Sequence, residues 1–140
     1  MNLKFTLFSL MVGFLLSSSG LNAQEVVNAL RVDAPAEIAG EYRIGLAADW
    51  GQQLMTELAG TATFADDGEG EIYDGCDGTI NNITGKIALI DRGGCQFADK
   101  AFNAENAGAI AVVICNNVAD GSLPPLGAGD LSDQVSIPVA

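Results

Sequence analysis

Between Gly85 and Asn117 the chain reads "GKIALIDRGGCQFADKAFNAENAGAIAVVICNN", and few folds can accommodate that stretch. In "KIALID", Ile87 and Leu89 fall on one side of an extended backbone and Ala88 and Ile90 on the other, so both faces need cover. "RGGC" is a turn whose glycines let the chain reverse into a helix. From Gln96 to Ala107, the residues Phe97, Ala101, Ala104 and Gly108 recur at helical spacing, with Asp99, Lys100, Asn103, Glu105 and Asn106 largely on other faces. Asp99 suits the positive end of that helix, and Gly108 is placed as its stop. "AIAVVIC" is then a second strand apolar on both sides. Strand, helix and strand in this order predict a crossover unit with parallel strands over residues 86–115, an α/β (α+β) arrangement.

The residue types exclude much chemistry. The sequence has no histidine, which removes zinc-protease His pairs and the Ser-His-Asp and Cys-His nucleophile systems. Carboxylates and cysteine remain, but a carboxylate pair needs a defined separation that a sequence does not reveal. The net charge is −12, so nucleic acid and anionic lipid surfaces are poor partners. Nothing in the sequence calls for a cofactor. The acidic turn Asp66, Asp67, Glu69 and Glu71 has oxygen ligands for Ca²⁺ but lacks the spacing of a calcium loop, so a solvated turn is the favoured reading.

The first segment, "MNLKFTLFSLMVGFLLSSSGLNA", has one lysine, an apolar run from Phe5 to Leu16, and small polar residues ending at Ala23. That is the layout of a secretory signal peptide over residues 1–23. The run falls short of the roughly 20 residues a spanning helix needs, so no stable membrane span is expected after cleavage. Residues 24–140 then form one domain in a secreted or extracytoplasmic, bacterial setting, where a disulfide is permitted. Cys76 and Cys95 sit in Gly- and Asp-rich turns, whereas Cys115 ends an apolar run. We expect Cys76 to pair with Cys95 and Cys115 to be a buried thiol.

Upstream of the crossover unit, a first strand is expected around Ala29 to Val32 and a second over Thr61 to Phe64, with Ala62 and Phe64 alternating against Thr61 and Thr63. Leu46, Trp50, Leu54 and Leu58 recur every four residues, but Gly45 and Gly51 interrupt them. An irregular segment with Trp50 in the core is expected there.

The motifs "GKIALIDRGGCQF", "KAFNAENAGA" and "IAVVICNN", in that order and without gaps, resemble the protease-associated (PA) domain. "VDAPAEIAGEY" and "DGCDG" look like the leader found before this core in secreted bacterial versions, including those inserted in fungalysin-type metalloproteases. The resemblance covers about Leu30 to Pro138. It implies a β-barrel or sandwich with flanking helices that carries no catalytic residues and contacts polypeptide, either as a lid in proteases or as a cargo-binding module. The family continues beyond "IPV" with a further strand and helix, so a C-terminal truncation is expected.

The functional expectation is a non-catalytic extracytoplasmic protein- or peptide-interaction module. The alternative is the lid or substrate-contact region of a secreted peptidase whose catalytic domain lies outside this chain. Candidate contact residues are Asp91, Arg92, Gly93 and Gly94 in the turn, Asn116 and Asn117 after the second strand, and the loop "DGSLPPLGAGD" over residues 120–130. Each has a purely structural reading as well: a local ion pair or helix cap for Asp91 and Arg92, and turn formation for the two asparagines.

Overall fold

A computed structural model describes residues 2–7, 28–68, 70–79, 81–119 and 122–140. Six strands and one α-helix are found among them: β1 (Asn2–Leu7), β2 (Asn28–Val32), β3 (Gly40–Arg43), β4 (Leu58–Phe64), β5 (Ile87–Asp91), α1 (Phe97–Asn106) and β6 (Ala111–Cys115). The strands form a single ladder in the order β3-β2-β1-β4-β5-β6. From β3 to β4 the pairings are antiparallel, and from β4 to β6 they are parallel. Among the described residues no pairing joins β3 to β6, so the ladder stays open rather than closing into a barrel. This is the mixed α+β fold expected.

The crossover unit forms as the apolar pattern predicts. Ile87, Ala88, Leu89 and Ile90 are all buried, and their alternation distributes them between two cores. Ala88 and Ile90 join Val112 beneath α1, while Ile87 and Leu89 join Ala111 and Val113 on the opposite face with Leu30, Val32 and Ala62. The helix contributes Ala98, Ala101 and Ala104, none of them exposed, so its backbone sits close to the sheet. It ends in a Schellman motif: Gly108 N–H donates to the Glu105 carbonyl (2.8 Å) and Ala109 N–H to that of Ala104 (3.0 Å). Gly108 adopts a φ of +89°, which glycine takes without steric cost.

Residues 44–57 form no helix, and Trp50 is buried with its indole N–H donating to the Leu126 carbonyl at 2.8 Å. The C-terminal segment pairs beside β6 through a parallel bridge between Val112 and Val139, with Ala140 N–H donating to the Val112 carbonyl at 3.0 Å. Three local expectations need correction. Phe64 is 43% exposed and leans on Tyr73, with ring centroids 4.9 Å apart. Lys100, assigned to the polar side of the helix, is completely buried. Cys115 is half-buried, because β6 leaves the core at its C-terminal end.

The expected cleavage point at Ala23 lies outside the described residues. Of the expected leader, Asn2–Leu7 pairs antiparallel with both β2 and β4. No helix among the described residues is long and apolar enough to cross a membrane.

Candidate functional site

The C-terminal ends of parallel strands are where chain leaves a sheet and polar groups gather. Here β5 ends at Asp91 and β6 at Cys115, paired side by side. Beyond them, Arg92 N–H donates to the Cys115 carbonyl (3.0 Å) and Asn117 Nδ2 to the Arg92 carbonyl (2.9 Å), which binds the two strand ends together. The Arg92 guanidinium donates to Asn116 Oδ1 at 3.2 Å. The same Asn116 uses its Nδ2 on the Ser122 carbonyl (2.7 Å), drawing residues 122–126 over the strand ends. Both asparagines therefore serve the turn.

That strap roofs an open cavity of about 230 Å³. Its walls are Leu30 from β2, Tyr42 and Arg43 from β3 with Ile44 and Gly45 following, Val113, Ile114 and Cys115 from β6, then Leu123, Pro124, Leu126 and Ala140. Arg92 and Asn116 complete the lining. The cavity is thus largely apolar, with Arg43 and Arg92 among its walls. Of the residues singled out in the sequence, Arg92, Asn116 and the 120–130 loop reach it, whereas Asp91, Gly93, Gly94 and Asn117 do not line it. Leu30, Tyr42, Arg43 and Ile44 were not anticipated. No local pattern marks them, since they meet β6 only through tertiary folding.

Burial pushes the Cys115 thiol up to about 11, and the Asp91 carboxylate adds to the effect, while a backbone hydrogen bond from Ile90 acts the other way. This thiol is a wall of the cavity and a poor nucleophile at neutral pH. Among the described residues no group of three or more Cys, Asp or Glu side chains converges to hold a metal ion. Within the acidic turn, Asp66 Oδ1 accepts the Gly68 N–H at 2.9 Å; Glu69 lies outside the described residues.

On the other side of the β5–α1 turn, Cys76 and Cys95 are bonded to one another, as expected. Gly94 backs directly onto this bridge: a Cβ there would lie 2.3 Å from Asp74 Oδ2 and 2.8 Å from Cys76 Sγ. Lys100 reaches the same place from inside. Its Nζ donates to the Asp74 carbonyl and lies 3.4 Å from Cys76 Sγ. Burial pulls this ammonium below the usual lysine value, opposed by Asp74, Asp67, Asp91 and Asp99.

Residues 52–140 match the PA domain family. The chain belongs to that family. Similar proteins include ER degradation-enhancing alpha-mannosidase-like protein 3 from Xenopus laevis, 41% identical over 100 residues, which is 66% of this chain and 11% of that protein. Signal peptide peptidase-like 3 from Arabidopsis thaliana is 36% identical over 108 residues, covering 73% of this chain and 19% of its own length. Minor extracellular protease Vpr from Bacillus subtilis is 44% identical over 52 residues, 37% of this chain and 6% of the protease. The PA domain chain thus spans under a fifth of each of these relatives. They come from animals, plants and bacteria, and so lend no support to a bacterial origin in particular.

Proposed function

We propose that this chain is a non-catalytic module that binds extended polypeptide outside the cytoplasm, using the cavity beneath residues 122–126. The supporting observation is the lining itself. Arg43 and Arg92 are among the walls of an apolar hollow on a chain of net charge −12, cationic residues on an acidic molecule that favour an apolar side chain accompanied by a carboxylate. The Cys76–Cys95 bridge suits an oxidising compartment outside the cytoplasm. Titrating the chain with fluorescent peptides that end in an apolar residue and a free carboxylate tests the reading. Arg92→Ala and Leu123→Asp should each weaken binding by about tenfold or more, a loss of roughly 1.4 kcal/mol. Absence of binding at millimolar peptide, or binding indifferent to both variants, would overturn it.

A second reading, the substrate-contact region of a secreted peptidase, is favoured by the likeness to a protein named as an extracellular protease. On this reading the chain alone cleaves nothing, and peptide bound in the cavity is substrate for a catalytic domain in the same gene product. Sequencing the gene downstream for a His-Glu-x-x-His helix or a Ser/His/Asp set separates the two.

A further inference from the structure

Lys100 is the largest fully buried side chain among the described residues, and the proposed binding role makes no use of it. Removing an ammonium from water costs several kcal/mol unless its hydrogen bonds and charge are satisfied. Nζ donates to the Asp74 carbonyl and lies against Cys76 Sγ, the second belonging to a disulfide. A disulfide sulfur is a weak acceptor without charge. A thiolate in its place would put a full negative charge against the ammonium.

We propose that the Cys76–Cys95 bridge is a thiol-exchange site for dithiol co-reactants, with the buried Lys100 ammonium stabilising Cys76 as the departing thiolate. Access comes from the turn side. Both cysteines are half-buried, Gly93 and Gly94 are exposed, and any side chain at 94 would press on Cys76 Sγ. In the first step a thiolate of the dithiol attacks Cys95 Sγ. The Cys76–Cys95 bond breaks, its electron pair goes to Cys76, and a mixed disulfide forms on Cys95. In the second step the remaining thiolate of the dithiol attacks its own mixed-disulfide sulfur. Cys95 is released and takes up a proton, and the dithiol leaves as a cyclic disulfide, having given two electrons.

Charges of both signs meet at this bridge. Asp74 Oδ1 accepts the Cys76 N–H at 2.9 Å, and its carboxylate opposes a thiolate. Asp67, Asp91 and Asp99 act on Lys100 in the sense that keeps it protonated. The ammonium lies 3.4 Å from the sulfur, and attraction at that distance in a region of reduced dielectric is what the departing thiolate draws on. Cys95 itself immediately precedes Gln96, the N-cap of α1, where the helix dipole also favours negative charge.

The test equilibrates the full chain with mixtures of reduced and oxidised dithiothreitol, traps thiols by alkylation, and counts them by mass on the peptides bearing Cys76 and Cys95. Lys100→Met should lower the equilibrium constant for reduction by at least about tenfold, equivalent to about 30 mV. A second measurement holds even where that variant fails to fold. With Lys100 intact, Cys95→Ser frees Cys76, whose alkylation should titrate below the ordinary value shown by the same thiol in urea. Equal reduction equilibria in the folded Lys100→Met variant and the unaltered chain would overturn the proposal. So would a Cys76 thiol in Cys95→Ser that titrates at or above that ordinary value.

Discussion

The two halves of the ladder differ in how they are held. In the parallel half, β5 and β6 are joined by α1 and have apolar cores on both faces. The antiparallel half assembles four segments scattered from Asn2 to Phe64; β3 is exposed at all four residues, and β2 reaches β4 only through β1. A rigid wall thus faces a more weakly fastened flap, and the cavity lies between them, taking Leu30, Tyr42 and Arg43 from the flap and Val113, Ile114 and Cys115 from the wall. Stability and binding are then separable at β3, which shapes the cavity while exposed at all four residues, whereas Leu30 and Val32 of β2 belong to the core.

The sharpest contrast is between a wall residue and a flap residue. Ile90 is fully buried beneath α1, and Ile90→Ala should lower unfolding free energy in urea by about 2–5 kcal/mol. Tyr42, 45% exposed, donates its hydroxyl to the Ile38 carbonyl at 2.7 Å, and Tyr42→Ala should cost about 1 kcal/mol or less. Similar losses for the two would break the comparison.

Deleting residues 1–23 tests the flap as a unit. Without β1, the β2–β3 hairpin has no strand linking it to β4. Amide exchange over Ala29–Val32 and Gly40–Arg43 should accelerate by about tenfold or more, with Ile87–Asp91 and Ala111–Cys115 unchanged. If the wall loses protection equally, the halves form one cooperative unit and the distinction fails.

This division also accounts for what could be read from the residues beforehand. The wall was legible because its signal is local: an extended run apolar on both faces, a helical repeat of small residues, and a glycine stop lie within one continuous stretch. Lys100 was misplaced because its position in the helix pattern is polar, while its partners Asp74 and Cys76 come from a loop 26 and 24 residues away. The cavity was only half visible for the same reason. Arg92, Asn116 and the 120–130 loop adjoin the recognisable strands, but Tyr42 and Arg43 belong to an edge strand with no apolar alternation. Phe64 shares its side of the alternation with the buried Ala62, and its exposed contact with Tyr73 lies outside what a period can report.

A smaller effect is expected where wall and strap join. Trp50 links the two through its bond to the Leu126 carbonyl. Trp50→Phe keeps most of the apolar volume and removes that donor, so the expected loss is about 1 kcal/mol. Limited proteolysis should show faster cleavage within residues 122–131. Cleavage moved to residues 40–43 instead would mean that the indole fastens the flap rather than the strap.

The least disruptive probe is the thiol already in the cavity wall. Cys115 holds its proton up to about 11 in the folded chain, against an ordinary 9.0, because burial and the Asp91 carboxylate both disfavour the thiolate. A raised folded value means that the fold prefers the protonated form, so this contribution to stability is complete below pH 9 and is lost as pH rises through 11. The matching kinetic expectation is that iodoacetamide at pH 8 labels Cys115 roughly 100-fold more slowly in the native chain than in urea, two pH units being a hundredfold in thiolate. Opening the flap should erode that difference: Leu30→Ala hydrates the cavity and accelerates labelling, whereas Ala104→Gly within α1 leaves it nearly unchanged at equal folded fraction. Equal acceleration by both variants would show that Cys115 senses global unfolding rather than the seam between wall and flap.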